Sequence, residues 1–352
     1  MKMRNGENAM KTKFSTKAAL AGCTMLGTIA IAAPALADKA NPVIGFTVYD
    51  MSSFIAAGKQ GVESVAKANH ASVLWNSSHM DVNAQISQIQ QFINQKVDAI
   101  VIAAVNSATL APQVAAAKAA GIPVVITNLT VNAEAQKSAV SYVGPDDVKA
   151  GEQEAQHLVD AIHGQGGIVV LQGPLGQSGE IDRTKGIKNI LAKTPGVTLL
   201  AIQPANWKRT EAYSVAQDFL SRYGDKIKGI ISENDDMAIG TIQALREKGL
   251  AGKIPVTGVD GIKDGMRAVR DGTELETNLQ DGPLELGMAT QVAIDQVQGK
   301  PIPAVAMFIM PEITKDNVAH YYKQMFIDPK QFITDLPALV KKNLASGQYA
   351  EQ

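Results

Sequence analysis

Two polar side chains stand at matched places in this 352-residue chain. Asn128 follows Ile122 of one Ile-Pro-Val tripeptide and Asp260 follows Ile254 of another, at the same offset. Asn106 and Asn234 open polar loops at corresponding points upstream. An amide or carboxylate just after a short apolar strand can hydrogen-bond a small polar molecule, because ligands of open α/β sheets bind at the carboxyl ends of strands. The same positions would also serve as helix caps. Trp207 lies in the polar loop Asn206-Trp207-Lys208-Arg209 rather than on an apolar face, which suits a stacking platform. No set of nucleophile, base and orienter is found. His157 and His163 are spaced wrongly for a shared helical metal site and read as solvated. Asp235 and Asp236 open a helix, whose dipole favours carboxylates there. Gly173 to Gly176 reads Gly-Pro-Leu-Gly and lacks the Lys-Ser/Thr of a phosphate loop, so no nucleotide or other cofactor is expected.

The elements that must position these residues are written twice. Gln91 to Asn128 and Gln217 to Asp260 each read as an amphipathic helix, a short apolar strand, a polar loop, a second helix, then Ile-Pro-Val and a strand. Two such halves facing each other make a cleft that can close around a small molecule. The wider pattern agrees. Short β-rich runs at Val43 to Val48, Ala71 to Trp75, Ala99 to Ala104, Val124 to Thr127 and Ala139 to Val143 are followed by a second series at Gly167 to Gln172, Val197 to Gln203, Gly229 to Ser232, Pro255 to Val259 and Leu275 to Gln280. Alternation with helices argues for parallel sheets with right-handed crossovers. Gly144-Pro145-Asp146-Asp147 is expected to stop a strand, cap a helix and carry the chain between domains.

The 33 basic and 34 acidic residues nearly cancel, so no electrostatic footprint for nucleic acid is present. Lys11, Lys13 and Lys17 precede an apolar run from Ala18 to Ala33, and Ala35-Leu36-Ala37 forms an A-x-A site, which predicts an export signal cleaved after Ala37. Leu20-Ala21-Gly22-Cys23 resembles a lipobox, but too little apolar sequence separates Lys17 from Cys23. Cleavage after Ala37 discards the single Cys and leaves a mature chain without disulfides. The expected organisation is a signal peptide over 1–37, a first lobe over 38–145 plus 281–308, a second over 146–280 plus 309–326, and a C-terminal helical extension over 327–352.

The ordered motifs Lys96 to Ile100, Gly121 to Val125, Tyr142-Val143-Gly144, Ser178 to Arg183, Gln203 to Trp207, Glu233 to Ala238 and Gly258 to Gly261 carry a resemblance over roughly 41–318. The chain resembles the periplasmic sugar-binding proteins of ribose-binding type, the substrate receptors of ABC importers. The resemblance implies an α/β fold of periplasmic binding protein type I: two Rossmann-like, doubly wound parallel-sheet domains joined by a three-strand hinge. It also implies a monomer in the periplasm with a membrane ABC permease as partner. For the site it implies stacking by Phe54 and Trp207 and polar contacts from Arg183, Asn234, Asp260 and Gln280. The first domain departs from the pattern: Asn128-Leu129 stands in place of an Asp-Arg pair, Ala103 in place of Asn and Pro145 in place of Ser. Loss of the charged pair points away from ribose toward another pentose, a hexose or a linear polyol, with Asp50, Ser52 and Asn106 as compensating groups. An enzyme, a repressor core and a chemoreceptor-coupled sensor are the rival classes; the export signal stands where a repressor carries its DNA-binding module.

Overall fold

The structure, a computed structural model, describes residues 40–349. The export signal and its cleavage after Ala37 lie outside the described residues. Apolar runs become strands and amphipathic runs become helices, alternating as far as β11: β1 (Val43–Val48), α1 (Ser53–Ala68), β2 (Ser72–Ser77), α2 (Val82–Gln95), β3 (Ala99–Ile102), α3 (Ala111–Ala119), β4 (Val124–Thr127), α4 (Ala133–Ser138) and β5 (Ser141–Pro145). The series continues with α5 (Asp147–Ala161), β6 (Gly166–Gln172), α6 (Ser178–Leu191), β7 (Val197–Pro204), α7 (Arg209–Tyr223), β8 (Ile227–Ser232), α8 (Asp235–Glu247), β9 (Val256–Asp260), α9 (Lys263–Asp271) and β10 (Glu276–Leu279). It ends with α10 (Gly282–Val297), β11 (Val305–Phe308), β12 (Glu312–Thr314), α11 (Val318–Tyr322) and α12 (Pro329–Ser346).

These strands form two six-stranded sheets in the orders β11-β5-β4-β3-β1-β2 and β12-β10-β9-β8-β6-β7. Every pairing is parallel except that of β10 with β12. Helices cover both faces, which is why β3 and β4 are buried along their whole length and read as unbroken apolar runs. The first core joins Phe46 of β1 to Ile55 and Val62 of α1 and to Leu284 and Leu286 of α10. Each such side chain, fully buried, contributes roughly 1.5–3 kcal/mol.

The chain crosses between the sheets three times, from β5 into α5, from β10 into α10 and from β11 into β12. All three crossings lie beside the strand ends that face the site. At the first, β5 does not stop at Gly144; Pro145 pairs with Phe308 of β11, and the next amide, Asp146 N, donates to Phe308 O at 3.1 Å. A proline fits at this strand end because the hydrogen bond it cannot donate is supplied one residue later. The Asp146 side chain caps α5 by accepting from Lys149 N at 3.0 Å. The short helix α4, capped by Asn132, separates β4 from β5 and adds to the elements expected from the sequence. His157, read as solvated, is half-buried and stands with Nε2 2.9 Å from Glu312 Oε2, tying α5 to β12. The C-terminal segment folds back as α12 against α1 and α10, burying Leu336 and Val340 and accepting a 2.6 Å hydrogen bond from Ser64 Oγ at Ile333 O.

Candidate ligand-binding site

The two sheets point the carboxyl ends of their strands at one another, and a small, tightly closed cavity lies between them. It is lined by Tyr49, Phe54, Asn128, Leu129, Arg183, Trp207, Asn234, Asp260 and Gln280. All seven principal candidates from the sequence come together there. Tyr49 and Leu129 complete the lining; Tyr49 carries no motif in the sequence, and Leu129 enters there only through the Asn128-Leu129 departure from the ribose-type pattern. Asp50, Ser52 and Asn106 are not part of the lining. Ser52 caps α1 by accepting from Ile55 N at 3.2 Å, Asn106 closes its own turn by accepting from Ala108 N at 2.9 Å, and Asp50 accepts from Met51 N at 2.8 Å.

From the first lobe, Asn128 follows β4 in a left-handed conformation with φ 63°, which Asn tolerates better than most residues. Its backbone is clamped: N donates to Val143 O at 3.0 Å and O accepts from Tyr142 Oη at 3.1 Å. Its side chain sits against the Glu285 carboxyl, while Oδ1 is buried without a partner. An orphan acceptor beside a polar cavity is a demand for a hydroxyl or amide donor. Phe54, in the first turn of α1, supplies an apolar wall.

From the second lobe, Arg183 is placed by a close crossing of α5 and α6. A Cβ on Gly151 would stand 2.1 Å from Arg183 O and one on Gly186 2.2 Å from Val148 O, so only glycines permit this approach. Arg183 Nε donates to Asp147 Oδ1 at 2.8 Å, Nη1 to Glu233 O at 2.5 Å and Nη2 to Gln280 Oε1 at 2.9 Å. The guanidinium fork is therefore mostly engaged by protein. Of its five N–H groups, two are left for a ligand. Burial opposes its charge, but Asp147 and Asp260 nearby hold its pKa above the usual value. Burial also pushes Asp147 up, with Arg183 pulling it back.

Asp260 ends β9 with φ 118°, an uncommon backbone state that its neighbours impose: Gln280 N donates to Asp260 O at 3.1 Å and Gly261 N to Thr277 Oγ1 at 3.1 Å. Its carboxylate receives one bond, from Asn234 Nδ2 at 3.3 Å, and lies 4.0 Å from Arg183 Nη1. Burial holds its pKa well above the ordinary carboxylate range, with Arg183 opposing the rise. Most of its acceptor capacity is free to take ligand hydroxyls. Asn234 does two jobs, since Oδ1 caps α8 at Met237 N (3.0 Å) while Nδ2 steadies Asp260. Gln280 braces the site: Oε1 takes the Arg183 bond and Nε2 donates to Glu285 Oε2 at 2.8 Å. Trp207 is held by its Nε1 donating to Gln177 Oε1 at 2.7 Å, with the Arg183 guanidinium 5.5 Å from the ring centroid.

Asp147, Gln177, Glu233 and Glu285 support the lining and escaped the sequence reading as site residues. Asp147 carried the one usable signal, a second acid directly after the Asp146 cap. No group of three or more His, Cys, Asp or Glu among the described residues is arranged to hold a metal ion. No described helix is long and apolar enough to cross a membrane.

Residues 44–301 match a family model described as a periplasmic binding protein domain. The chain is 44% identical, over 94% of its own length and 94% of the relative's, to the xylitol-binding protein of Mycolicibacterium smegmatis. It is 30% identical to the ribose import binding protein of Bacillus subtilis, covering 75% of this chain and 85% of that protein. Its fold is similar to the structure of an ABC transporter solute binding protein from Bacillus halodurans with bound myo-inositol, with a TM-score of 0.76, 26% identity, and coverage of 81% of this chain and 98% of that one.

Proposed function

This chain belongs to the periplasmic binding protein family, and on that premise we propose that it is an ABC-importer receptor for a small neutral polyol or monosaccharide, with an acyclic five-carbon polyol such as xylitol as the first candidate. The single observation that carries the ligand class is the pairing of unfilled acceptors with apolar walls. Asn128 Oδ1 has no partner and Asp260 has spare acceptor capacity, while Phe54 and Trp207 line the same space. A polyol matches both demands, since its hydroxyls donate to the acceptors and its C–H faces lie against the rings. The two uncommitted N–H groups of Arg183 supply donors for hydroxyl oxygens.

An amino acid ligand fits less well. Its ammonium and carboxylate would call for charges of both signs without internal partners, whereas the Arg183 charge is already matched by Asp147. The xylitol-binding relative and the myo-inositol-bound structure support a ligand rich in hydroxyls. In this reading the mature protein starts at Asp38, works as a monomer outside the cytoplasmic membrane, and presents its loaded lobes (38–145 plus 281–308, and 146–280 plus 309–326) to a membrane permease.

A thermal-shift screen of pentitols, hexitols, pentoses and hexoses tests it. A ligand at 100 times its Kd adds about 2.7 kcal/mol of stability, a shift that such a screen resolves. Failure of every polyol and sugar to raise the midpoint, or a larger shift from an amino acid, would refute the proposal.

A further inference from the structure

The Gly-Pro-Leu-Gly sequence after β6 is left without a role by the ligand contacts. We propose that the loop Gly173 to Gln177 is a clasp that couples the seating of Trp207 to the meeting of the two lobes, with Gln177 as its positioning residue. The proposal rests on the solute-receptor reading above.

Gln177 is 1% exposed and is absent from the cavity lining, so it acts on a ligand only through another residue. Its amide orientation is forced. The Trp207 indole is a pure donor, so Gln177 Oε1 must face it, at 2.7 Å. The Nε2 donor then points across the cleft to the first lobe, 3.5 Å from Ala104 O and 3.9 Å from Met80 Sδ. The adjacent residue makes the firmer cross-lobe contact: Gly176 O accepts from Ser107 N at 3.0 Å and from Ser107 Oγ at 3.1 Å.

The glycines are what allow this loop to touch both partners. Gly176 has φ +90°, and a Cβ there would lie 2.6 Å from Asn106 Nδ2 in the opposing loop. At Gly173 a Cβ would lie 2.0 Å from the Trp207 ring. Gly173 N is in turn anchored on Glu233 Oε2 at 2.9 Å. One loop therefore packs under the indole, fixes the indole N–H and bonds the other lobe. Seating a ligand against Trp207 and closing the lobes favour the same loop position, which is the condition for the two events to be linked.

Gln177→Glu and Gln177→Ala separate the two contacts. The glutamate keeps an acceptor for the indole but turns acceptor oxygens toward the Ala104 carbonyl; the alanine removes both interactions. Both are made in a Trp75→Phe background, which leaves Trp207 as the sole tryptophan of the two. The expected result is a red-shifted Trp207 emission in ligand-free Gln177→Ala and an unchanged one in Gln177→Glu. In stopped flow with xylitol, both variants should dissociate about tenfold faster with little change in association rate, because losses at a formed interface fall mainly on the off-rate. Release from Gln177→Glu as slow as from the parent, or unchanged emission in Gln177→Ala, would overturn the clasp. If the parent binds neither xylitol nor any screened sugar, the receptor reading fails separately. The clasp is then judged on the ligand-free protein by nitroxide labels on the exposed faces of α2 and α7: a smaller closed population in Gln177→Glu supports it, and equal populations overturn it.

Discussion

Asp236, in the first turn of α8, caps the amino end of α1 in the opposite lobe: its carboxylate accepts from Ser53 Oγ at 3.0 Å and from Ser53 N at 3.3 Å. The first turn of α1 has no acidic residue of its own, so the negative end that its dipole favours is borrowed across the cleft. Arg209 holds the borrowed carboxylate in place, with Nε 2.5 Å from Asp236 Oδ1 and Nη1 2.8 Å from Asp264 Oδ2.

Asp236→Ala should weaken ligand binding about tenfold, which is the loss of roughly 1.4 kcal/mol. The effect should fall on the dissociation rate and leave the ranking among sugars unchanged, since Asp236 is not among the residues that line the cavity. Ser53→Ala removes only the hydroxyl bond and should cost less. Calorimetry on a panel of polyols checks both; a changed ranking would place Asp236 at the ligand instead.

Asp260→Ala should be the costlier change inside the site. It strips Asn234 Nδ2 and the ligand hydroxyls of their acceptor in a buried place, a loss of about 3 kcal/mol or more. Asn128→Ala removes a neutral partner and should cost nearer 1 kcal/mol. Titrations of the two variants with the same ligand decide the order, and a larger loss from Asn128→Ala would mean that the first lobe dominates capture.

Gly151→Ala tests how Arg183 is placed. The new methyl would meet the Arg183 backbone carbonyl, so α5 and α6 must separate, an overpacking that costs about 1–3 kcal/mol. Denaturant melts should show the lost stability, and calorimetry should show weaker binding even though position 151 is remote from the ligand. Binding at the parental affinity in a destabilised variant would uncouple the crossing from the site.

Stability should fall as pH rises. Burial pushes Glu233 and Glu285 up to about 8, and Asp235 and Asp281 up to about 7. These folded-state values lie above those of the unfolded chain, about 4, so the folded protein binds the extra protons. The contribution is full below the unfolded values and is lost as pH climbs through about 7 to 8. Thermal melts of the ligand-free protein at about pH 5.5 and about pH 9 should give the lower midpoint at the higher pH; the reverse order would show that these carboxyls are charged in the folded state.

Much of the fold was legible because its signals are local. Apolar runs such as Ala99–Ile102 and Val124–Thr127 are buried on both faces, and glycine, proline and cap residues bound them. Strand ends follow from strand positions, so Asn128, Asn234 and Asp260 could be placed at a site by counting. What no local pattern carries is how polar groups divide their partners. Arg183 finds Asp147 at 36 residues' distance and Gln280 at 97, and Ser53 meets Asp236 at 183. Those pairings spend most of the guanidinium fork on protein, leave Asn128 Oδ1 open, and turn Gln177 and Asp236 toward the opposite lobe. The sequence by itself determined which side chains stand at the strand ends, through the periodicity of burial. Only the tertiary structure decided which of them keep hydrogen-bonding capacity for a ligand, because that depends on groups brought within about 3 Å by the packing of two sheets and not by the chain.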